Sequence, residues 1–416
     1  MEQSKADVPP TKEQSAYEKL KKEEEDKVKV EADYSSGGES DNETEIIQLD
    51  VPKSYIKYKL KPKVIGDNKI TFYDAEDVEF YNRVLPEPLL IVWLLSKDSK
   101  LLYTSKRFFE SGWKNNIQVY IRETHKFDLV VSQEGLSRIY YDGKVVEKLP
   151  DCVIPRLGAN VDYFSLAVVR QLEKAGVMML NPISSLLVSK DKMETLQQLA
   201  TASLPIPKTM IARFPIEENV TNQHFSYPLI LKKSSGSQGK GVMLINSQEH
   251  LSDMGDMLDQ SKPMIIQEFI SKSSGKDLRV FVVGGKVIGG MMRIAKKGFK
   301  ANFHQGGYVR PVKLSAAVEW LAIECARLVG LEIAGVDILI DHDSYKICEI
   351  NSSPGFQGFE LATGIDVPQQ IMEFVKLRSG VWKKTSTLNQ QKNVVLVPVS
   401  AEHVELGKSQ SLPQDK

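Results

Sequence analysis

Two apolar segments in the C-terminal third of the chain carry acidic and amide residues at positions where a buried strand would otherwise be apolar. The first, residues 334–340, contains Asp337, and the second, residues 348–355, contains Glu349 and Asn351. A buried carboxylate without a partner is unstable in an apolar interior, so these side chains indicate a bound cation. Magnesium held by so few protein ligands usually takes its remaining ligands from a nucleotide phosphate. The pattern therefore predicts a metal and nucleotide site on two strands.

The turn between these strands determines which residues face each other. A polar turn centred near Asp343 places Asp337 opposite Glu349, since each lies six residues away. Opposed residues of an antiparallel pair have Cα atoms roughly 4.5–5.5 Å apart, and residues two apart on a strand share a face. We therefore predict Asp337, Glu349 and Asn351 as metal ligands, with Glu349 able to bridge two ions. Polar side chains facing solvent are the alternative, but the apolar neighbours argue for burial.

Length and charge narrow the class of protein. A chain of 416 residues is too long for one core, and its formal net charge of zero gives no argument for nucleic acid or membrane binding. Residues 1–50 hold 15 acidic residues against 7 lysines, which predicts a disordered arm. No apolar run approaches the roughly 18 residues of a membrane span, and the three cysteines follow no metal or redox spacing. We predict a cytoplasmic protein.

Composition and breaker residues divide the rest of the chain. Alternating strands and helices predict a small open α/β domain over residues 86–182. A second unit covers residues 183–266, and a third, residues 267–381, contains the two metal-bearing strands. Residues 51–85 stay unassigned, and residues 382–416 are predicted to form a polar tail.

A glycine-rich loop follows a predicted strand that ends near Lys232. Glycines at positions 236, 239 and 241 allow backbone N–H groups to approach phosphate oxygens. The loop is not a P-loop, because Gly236 and Gly239 are too close and no Ser or Thr follows Lys240. Taken alone it is equally compatible with a flexible turn. Lys232 would add a point charge for the same phosphates.

Two arginines lie on the strands that flank a predicted Gly284–Gly285 hairpin turn. The guanidinium forks of Arg279 and Arg293 suit phosphate or carboxylate groups. Exposed salt bridges are the alternative explanation for both residues.

In their order along the chain these pieces resemble the ATP-grasp ligases and, more narrowly, the RimK branch, which adds glutamate to carboxyl groups. The resemblance covers about residues 88–378. Besides the strand lysine and the glycine loop, it is carried by residues 154–158, 267–270, 276–284, 302–307, 334–337, 349–355 and 362–366. It implies an α/β ATP-grasp fold, in which a small N-terminal open α/β domain precedes two α+β lobes that clamp ATP.

The resemblance also implies roles for individual residues. Adenine would lie against the backbone of residues 268–270, Asp277 would meet the nucleotide sugar, and the metal ligands would hold two Mg²⁺ or Mn²⁺ ions. At one point the chain departs from the family, which tends to have Arg-Ser-Asn where this chain has residues 300–302. The implied nucleotide-binding residues are Lys192, Lys232, Gly236, Ser237, Gln238, Gly239, Gly241, Glu268, Phe269, Ile270, Asp277, Lys300 and Asn302.

The implied reaction is an ATP-dependent ligation of a carboxylate to an amine. The acceptor carboxylate attacks the γ-phosphate of ATP, and the amine of L-glutamate then attacks the acyl phosphate, with Arg279 and Arg293 beside it. The acceptor is a protein C-terminus or a small acid such as N-acetylaspartate, and a homo-oligomer is left open. The alternative is a non-catalytic ATP-binding scaffold, against which the intact metal residues, Lys232 and both arginines argue.

Overall fold

The computed structural model describes residues 63–65, 69–71, 84–97, 103–133, 135–158, 161–234, 241–301 and 307–389. Several predictions fall outside these ranges. They concern the arm at residues 1–50, the glycine-loop residues Gly236, Ser237, Gln238 and Gly239, the predicted nucleotide contact Asn302, and the chain beyond residue 389.

The N-terminal lobe is built on a parallel sheet. The uninterrupted apolar run of β3 suits an inner strand of such a sheet, and the strand order is β4-β3-β8-β9. Strands β5, β6 and β7, which come between β4 and β8 in the chain, form a separate small antiparallel sheet. Two strands before this lobe, β1 (Lys63–Ile65) and β2 (Lys69–Thr71), pair with each other. The elements of the lobe are β3 (Leu90–Ser96), α1 (Tyr103–Lys114), β4 (Ile117–Glu123), β5 (Phe127–Ser132), β6 (Gly135–Tyr141), β7 (Lys144–Val145), β8 (Cys152–Pro155), α2 (Tyr163–Lys174) and β9 (Met178–Met179).

The middle lobe is an antiparallel sheet with strand order β10-β13-β11-β12. Helix α4 begins at Lys192 because Asp191 caps it, accepting hydrogen bonds from the backbone N–H groups of Met193 and Glu194. The elements are α3 (Ile183–Lys190), α4 (Lys192–Thr201), β10 (Thr209–Ala212), α5 (Glu218–His224), β11 (Leu229–Lys233), β12 (Val242–Ile245), α6 (Gln248–Met257) and β13 (Met264–Glu268).

The C-terminal lobe is a five-stranded antiparallel sheet with order β16-β15-β14-β17-β18. The predicted Gly284–Gly285 turn is confirmed, since Val283 pairs with Lys286 across it. The last helix continues to residue 389, so it does not end at the predicted start of the polar tail near residue 382. The elements are β14 (Lys276–Val283), β15 (Lys286–Ile294), β16 (Tyr308–Pro311), α7 (Ala316–Val329), β17 (Ile333–Asp341), β18 (Ser344–Asn351), α8 (Gln357–Thr363) and α9 (Val367–Asn389).

The N-terminal and C-terminal lobes share one apolar core. Phe108 of the first lobe packs with Phe281, Phe356 and Phe359 of the third, and all four rings are fully buried. The middle sheet has a core of its own around Leu229 and neighbouring apolar residues, whereas Leu199 and Leu204, on and after α4, pack into a core of the C-terminal lobe. The first and third lobes therefore form a common base, and the middle sheet packs as a separate layer.

Candidate active site

A cavity of about 400 Å³ is lined mainly by residues of the middle and C-terminal lobes. That volume falls within the usual range for small-molecule sites. Apart from Gly241, every predicted site residue that the structure describes lies on its wall. These residues are Lys192, Lys232, Glu268, Phe269, Ile270, Asp277, Arg279, Arg293, Lys300, Asp337, Glu349 and Asn351.

The predicted pairing of Asp337 with Glu349 is confirmed, but it depends on a shift of strand register that the sequence did not predict. The turn consists of two residues, His342 and Asp343, because Asp341 pairs directly with Ser344. Its centre therefore lies between these two residues and not on residue 343. Continuing that register would place Cys348 opposite Asp337. A β-bulge at this point absorbs Cys348 and brings Glu349 into line with Asp337.

Two arginines and two aspartates form a buried network on strands β14, β15 and β17. Asp337 accepts hydrogen bonds from Nε and Nη2 of Arg279, the latter at 2.7 Å, and its Oδ2 lies 2.9 Å from Nη2 of Arg293. Arg293 also donates to both carboxylate oxygens of Asp277, at 2.7 and 2.6 Å. Burial by itself would raise the pKa of Asp337, but the two guanidinium groups outweigh it and hold that pKa below its usual range.

The two predicted phosphate-binding lysines have different partners. Lys192 donates to Glu349 Oε1. Burial would lower the pKa of Lys192, but the charge of Glu349 outweighs it and that pKa is raised. Lys232 donates to Gln267 Oε1 at 2.9 Å and has no carboxylate partner in the described part of the chain, so burial lowers its pKa. The carboxylates of the predicted metal site are thus each paired with a cation predicted to contact phosphate or the acyl phosphate.

Gln267 was not among the predicted residues, yet it fixes the position of Lys232. Its Nε2 donates to Thr209 Oγ1 at 2.7 Å, and the Thr209 hydroxyl donates to the Pro207 carbonyl at 2.7 Å. The available signal was a glutamine in the apolar strand at residues 264–268, where a buried amide requires partners.

The predicted adenine segment lines the cavity, but its side chains have partners elsewhere. Glu268 accepts from Lys346 Nζ at 2.6 Å. The rings of Phe269 and Phe299 meet edge to face at 6.3 Å, and Lys300 Nζ lies 5.6 Å from the Phe299 centroid. Asp277, expected at the nucleotide sugar, has both oxygens bound to Arg293, and the sugar contact stays a prediction.

The predicted metal ligands form a donor set that fits Mg²⁺. Two carboxylates and an amide lie on neighbouring strands of the cavity wall, and hard oxygen donors are those that Mg²⁺ prefers. Within the described ranges, no group of three or more His, Cys, Asp or Glu residues could hold a metal alone. Asp337, Glu349 and Asn351 would therefore need phosphate oxygens or water to complete a coordination shell.

Family models match almost all of the region covered by the three lobes. Residues 90–186 match a RimK pre-ATP-grasp domain, and residues 189–375 match a RimK-like ATP-grasp domain. A protein of Thioalkalivibrio sulfidiphilus named probable alpha-L-glutamate ligase is 34% identical over 68% of this chain and 94% of its own length. A protein of the same name from Methanococcoides burtonii is 34% identical over 71% of this chain and 97% of its own.

Solved structures support the fold. The ATP-grasp ligase PsnB, complexed with a minimal precursor, Mg and ADP, has a TM-score of 0.54 at 22% identity and covers 70% of this chain and 98% of its own. The D-alanine–D-alanine ligase of Bacillus anthracis complexed with ATP has a TM-score of 0.50 at 15% identity, covering 71% of this chain and 99% of its own.

The chain belongs to the RimK-like ATP-grasp family. The predicted α/β ATP-grasp fold is confirmed, as is the predicted class of enzyme, an ATP-dependent ligase that forms carbon–nitrogen bonds. No helix in the described part of the chain is long and apolar enough to span a membrane.

Proposed function

We propose that this protein joins the amino group of L-glutamate to a carboxylate of an acceptor, either a protein C-terminus or a small acid. The relatives named as probable alpha-L-glutamate ligases support glutamate as the amino acid added. The observation that carries the proposal is the convergence in one cavity of two lysines, two arginines and the oxygen donors of strands β17 and β18. Such a set can bind a nucleotide triphosphate and stabilise charge on a transferring phosphoryl group.

Each group of residues has a proposed task. Lys192 and Lys232 hold phosphates of ATP, and residues 268–270 contact the adenine. Lys232 is buried and has no carboxylate partner among the described residues. Arg279 and Arg293 present guanidinium forks to the acyl phosphate, and Asp337 keeps both forks in place. We further propose that the glycine loop at 236–241 covers the phosphates.

The reaction has two steps. The acceptor carboxylate attacks the γ-phosphorus, which forms an acyl phosphate and releases ADP, and the glutamate amine then attacks the acyl carbon and releases phosphate. Two Mg²⁺ or Mn²⁺ ions, held by Asp337, Glu349 and Asn351, would offset negative charge on the phosphates. Buried arginines beside the acyl phosphate exclude water from it and so limit its hydrolysis.

We also propose three functional lobes at residues 86–182, 183–266 and 267–381. A cytoplasmic location is proposed as well, because the chain's three cysteines, Cys152, Cys325 and Cys348, are unpaired, as thiols are in a reducing compartment.

The test is ADP release with Mg²⁺, ATP, L-glutamate and a panel of acceptors. Glu349→Ala should lower turnover roughly 100-fold or more, since charge stabilisation worth several kcal/mol is removed. Asp343→Asn is the matched control, because Asp343 is exposed at the tip of the same hairpin and should leave turnover unchanged. Full activity of Glu349→Ala would remove the metal assignment. Tight ATP binding without turnover on any acceptor would favour the non-catalytic scaffold.

A further inference from the structure

The two predicted phosphate-binding lysines on the cavity wall, and the three arginines on or beside it, fall into two groups. Arg279, Arg293 and Lys192 are each paired with a carboxylate. Lys232 and Arg156 have no carboxylate partner in the described part of the chain. Taking a cation out of water is costly unless an anion compensates for the lost hydration. ATP supplies that anion to Lys232 in the proposed function, and Arg156 has no such assignment.

Arg156 lies where the topology of the first lobe favours a ligand. It follows directly after β8, at the carboxyl end of a strand in the parallel sheet. Ligands of open parallel sheets bind outside the carboxyl ends of the strands. Gly158, two residues further on, lines the cavity.

The guanidinium group of Arg156 is half-buried and incompletely paired. Its carbon lies 6.0 Å from the ring centroid of Phe108 and 5.7 Å from that of Phe356, and both rings are fully buried. Within the described residues it forms one hydrogen bond, from Nη2 to the Pro354 carbonyl at 2.9 Å. A guanidinium carries five N–H donors, so most of them have no partner in the described chain. Burial lowers the pKa of Arg156 to about 10.

The hydrogen bond from Arg156 to the Pro354 carbonyl also connects Arg156 to the cavity wall. Ser353, Pro354 and Gly355 line the cavity, as Gly158 does. Ser353 Oγ donates to the Pro155 carbonyl at 2.9 Å, so this loop is bound to residues 155 and 156 by two hydrogen bonds. The wall beside Arg156 therefore comes from the first and third lobes, whereas Lys232 lies on the middle lobe.

We propose that Arg156 binds a substrate carboxylate that is not consumed in the reaction, where the N-terminal lobe meets the cavity. The inference rests on the proposed function, in which both L-glutamate and the acceptor bring carboxylates. A planar fork with free N–H donors matches a carboxylate bidentately, which a lysine could not do. The anion would also compensate a cation that the chain itself leaves uncompensated.

The test measures binding by calorimetry in the presence of Mg²⁺ and ADP. L-Glutamate is the probe for the amino-acid site and N-acetyl-L-glutamate for the acceptor site. Arg156→Gln should weaken one probe roughly 10- to 100-fold, as for loss of charge-assisted hydrogen bonds, and leave ADP binding unchanged. Arg156→Lys should fall between this variant and the wild type. Arg138→Gln, which changes an exposed arginine of β6 in the same lobe, should bind like the wild type.

A second comparison separates carboxylate binding from support of the loop. Each probe is compared with its α-amide and its γ-amide. Arg156→Gln should abolish the preference for carboxylate over amide at one position of one probe, whereas loss of loop support alone would weaken acid and amide equally. Unchanged preferences at all four positions would overturn the proposal, as would failure of the wild type to bind either probe. If the glutamine variant does not fold, the comparison is made with Arg156→Lys.

These outcomes are distinct from failure of the proposed function. If Arg156 controls carboxylate binding but no acceptor supports glutamate-dependent ADP release, the ligation assignment fails and the carboxylate site stands. If ligation proceeds and Arg156→Gln matches the wild type in every binding comparison, only the carboxylate site fails.

Discussion

The buried carboxylate of Glu360 connects the first and third lobes, and its removal should destabilise both. It accepts hydrogen bonds from Tyr103 Oη at 2.5 Å, from Arg107 Nε at 3.0 Å and from the Val367 N–H at 3.0 Å. Its side chain is 1% exposed. Tyr103 and Arg107 lie on α1, whereas Glu360 lies on α8, two residues after Gly358, which lines the cavity.

Glu360→Gln keeps the shape of the side chain and removes its charge. Breaking a buried ion pair by removing one partner costs about 3–5 kcal/mol. Arg107 keeps two other carboxylates, Glu110 at 2.7 Å and Asp366 at 2.8 Å, so the charge it carries stays partly compensated. We therefore expect a loss of about 2–3 kcal/mol, somewhat less than for a pair without other partners.

Urea denaturation and thermal unfolding measure this loss. A change of this size should lower Tm by about 2–5 °C, because the unfolding entropy grows with length, to roughly 0.6–0.9 kcal/mol/K for a chain of this size. Glu110→Gln is the matched control, because Glu110 binds the same arginine but is 28% exposed. This pair is less buried than the one with Glu360, and fully exposed pairs contribute only about 0–1 kcal/mol, so a smaller loss is expected. Equal losses in the two variants would refute the argument that burial makes Glu360 the stronger partner.

Two further predictions concern the cavity wall and a helix cap. Gly335→Ala should lower kcat/KM roughly 10-fold or more, because the new Cβ would lie 2.6 Å from Pro354 Cβ and 3.3 Å from Arg279 Cδ. Asp162→Ala should destabilise α2 by about 0.5–1 kcal/mol at pH 7, since its carboxylate accepts the Ser165 N–H at 2.7 Å. That hydrogen bond lowers the pKa of Asp162 to about 2, so its contribution is present above the ordinary pKa and is lost as pH falls toward 2.

Controls for these two changes are available in the chain. Gly380→Ala adds a methyl group with nothing within 4 Å in helix α9, and should leave activity unchanged. If Gly335→Ala keeps the wild-type kcat/KM, the cavity wall accommodates the new methyl group without displacing Arg279, and the prediction is wrong. For Asp162, measurements of unfolding between pH 7 and pH 3 should show the wild type and variant converging as pH falls. A gap that stays constant over that range would contradict a contribution from the ionised carboxylate.

Local patterns were sufficient for much of the fold. The apolar run of β3, the Gly284–Gly285 turn and the Ser315 cap of α7 each depend on residues close together in the chain, and the predicted turn is confirmed. Ser315 accepts the Val318 N–H, and Gly330, with φ of 76°, ends the same helix. Such features can be predicted without knowing the tertiary packing, because their hydrogen-bond partners lie within one helical turn or one hairpin.

The sequence predicted the site residues that lie on a single hairpin. It did not predict the contacts between residues from different strands and lobes. Asp337 and Glu349 were placed opposite each other from chain spacing, but the bulge at Cys348 that produces this register was not foreseen. Gln267, which orients Lys232, was missed because its partners come from another strand. Cross-strand partners depend on strand order, and strand order is decided by the packing of the whole sheet.

The sequence by itself determined the ligand types, the hairpin that carries them and the family resemblance, since all of these depend on residue chemistry at short spacing. Tertiary structure decided which charges are compensated. Glu360 meets Arg107 across more than 250 positions of the chain, and the Arg156 guanidinium lies near two phenylalanine rings from different lobes. The strength of a charge depends on its burial and its partners, and only the folded chain supplies both.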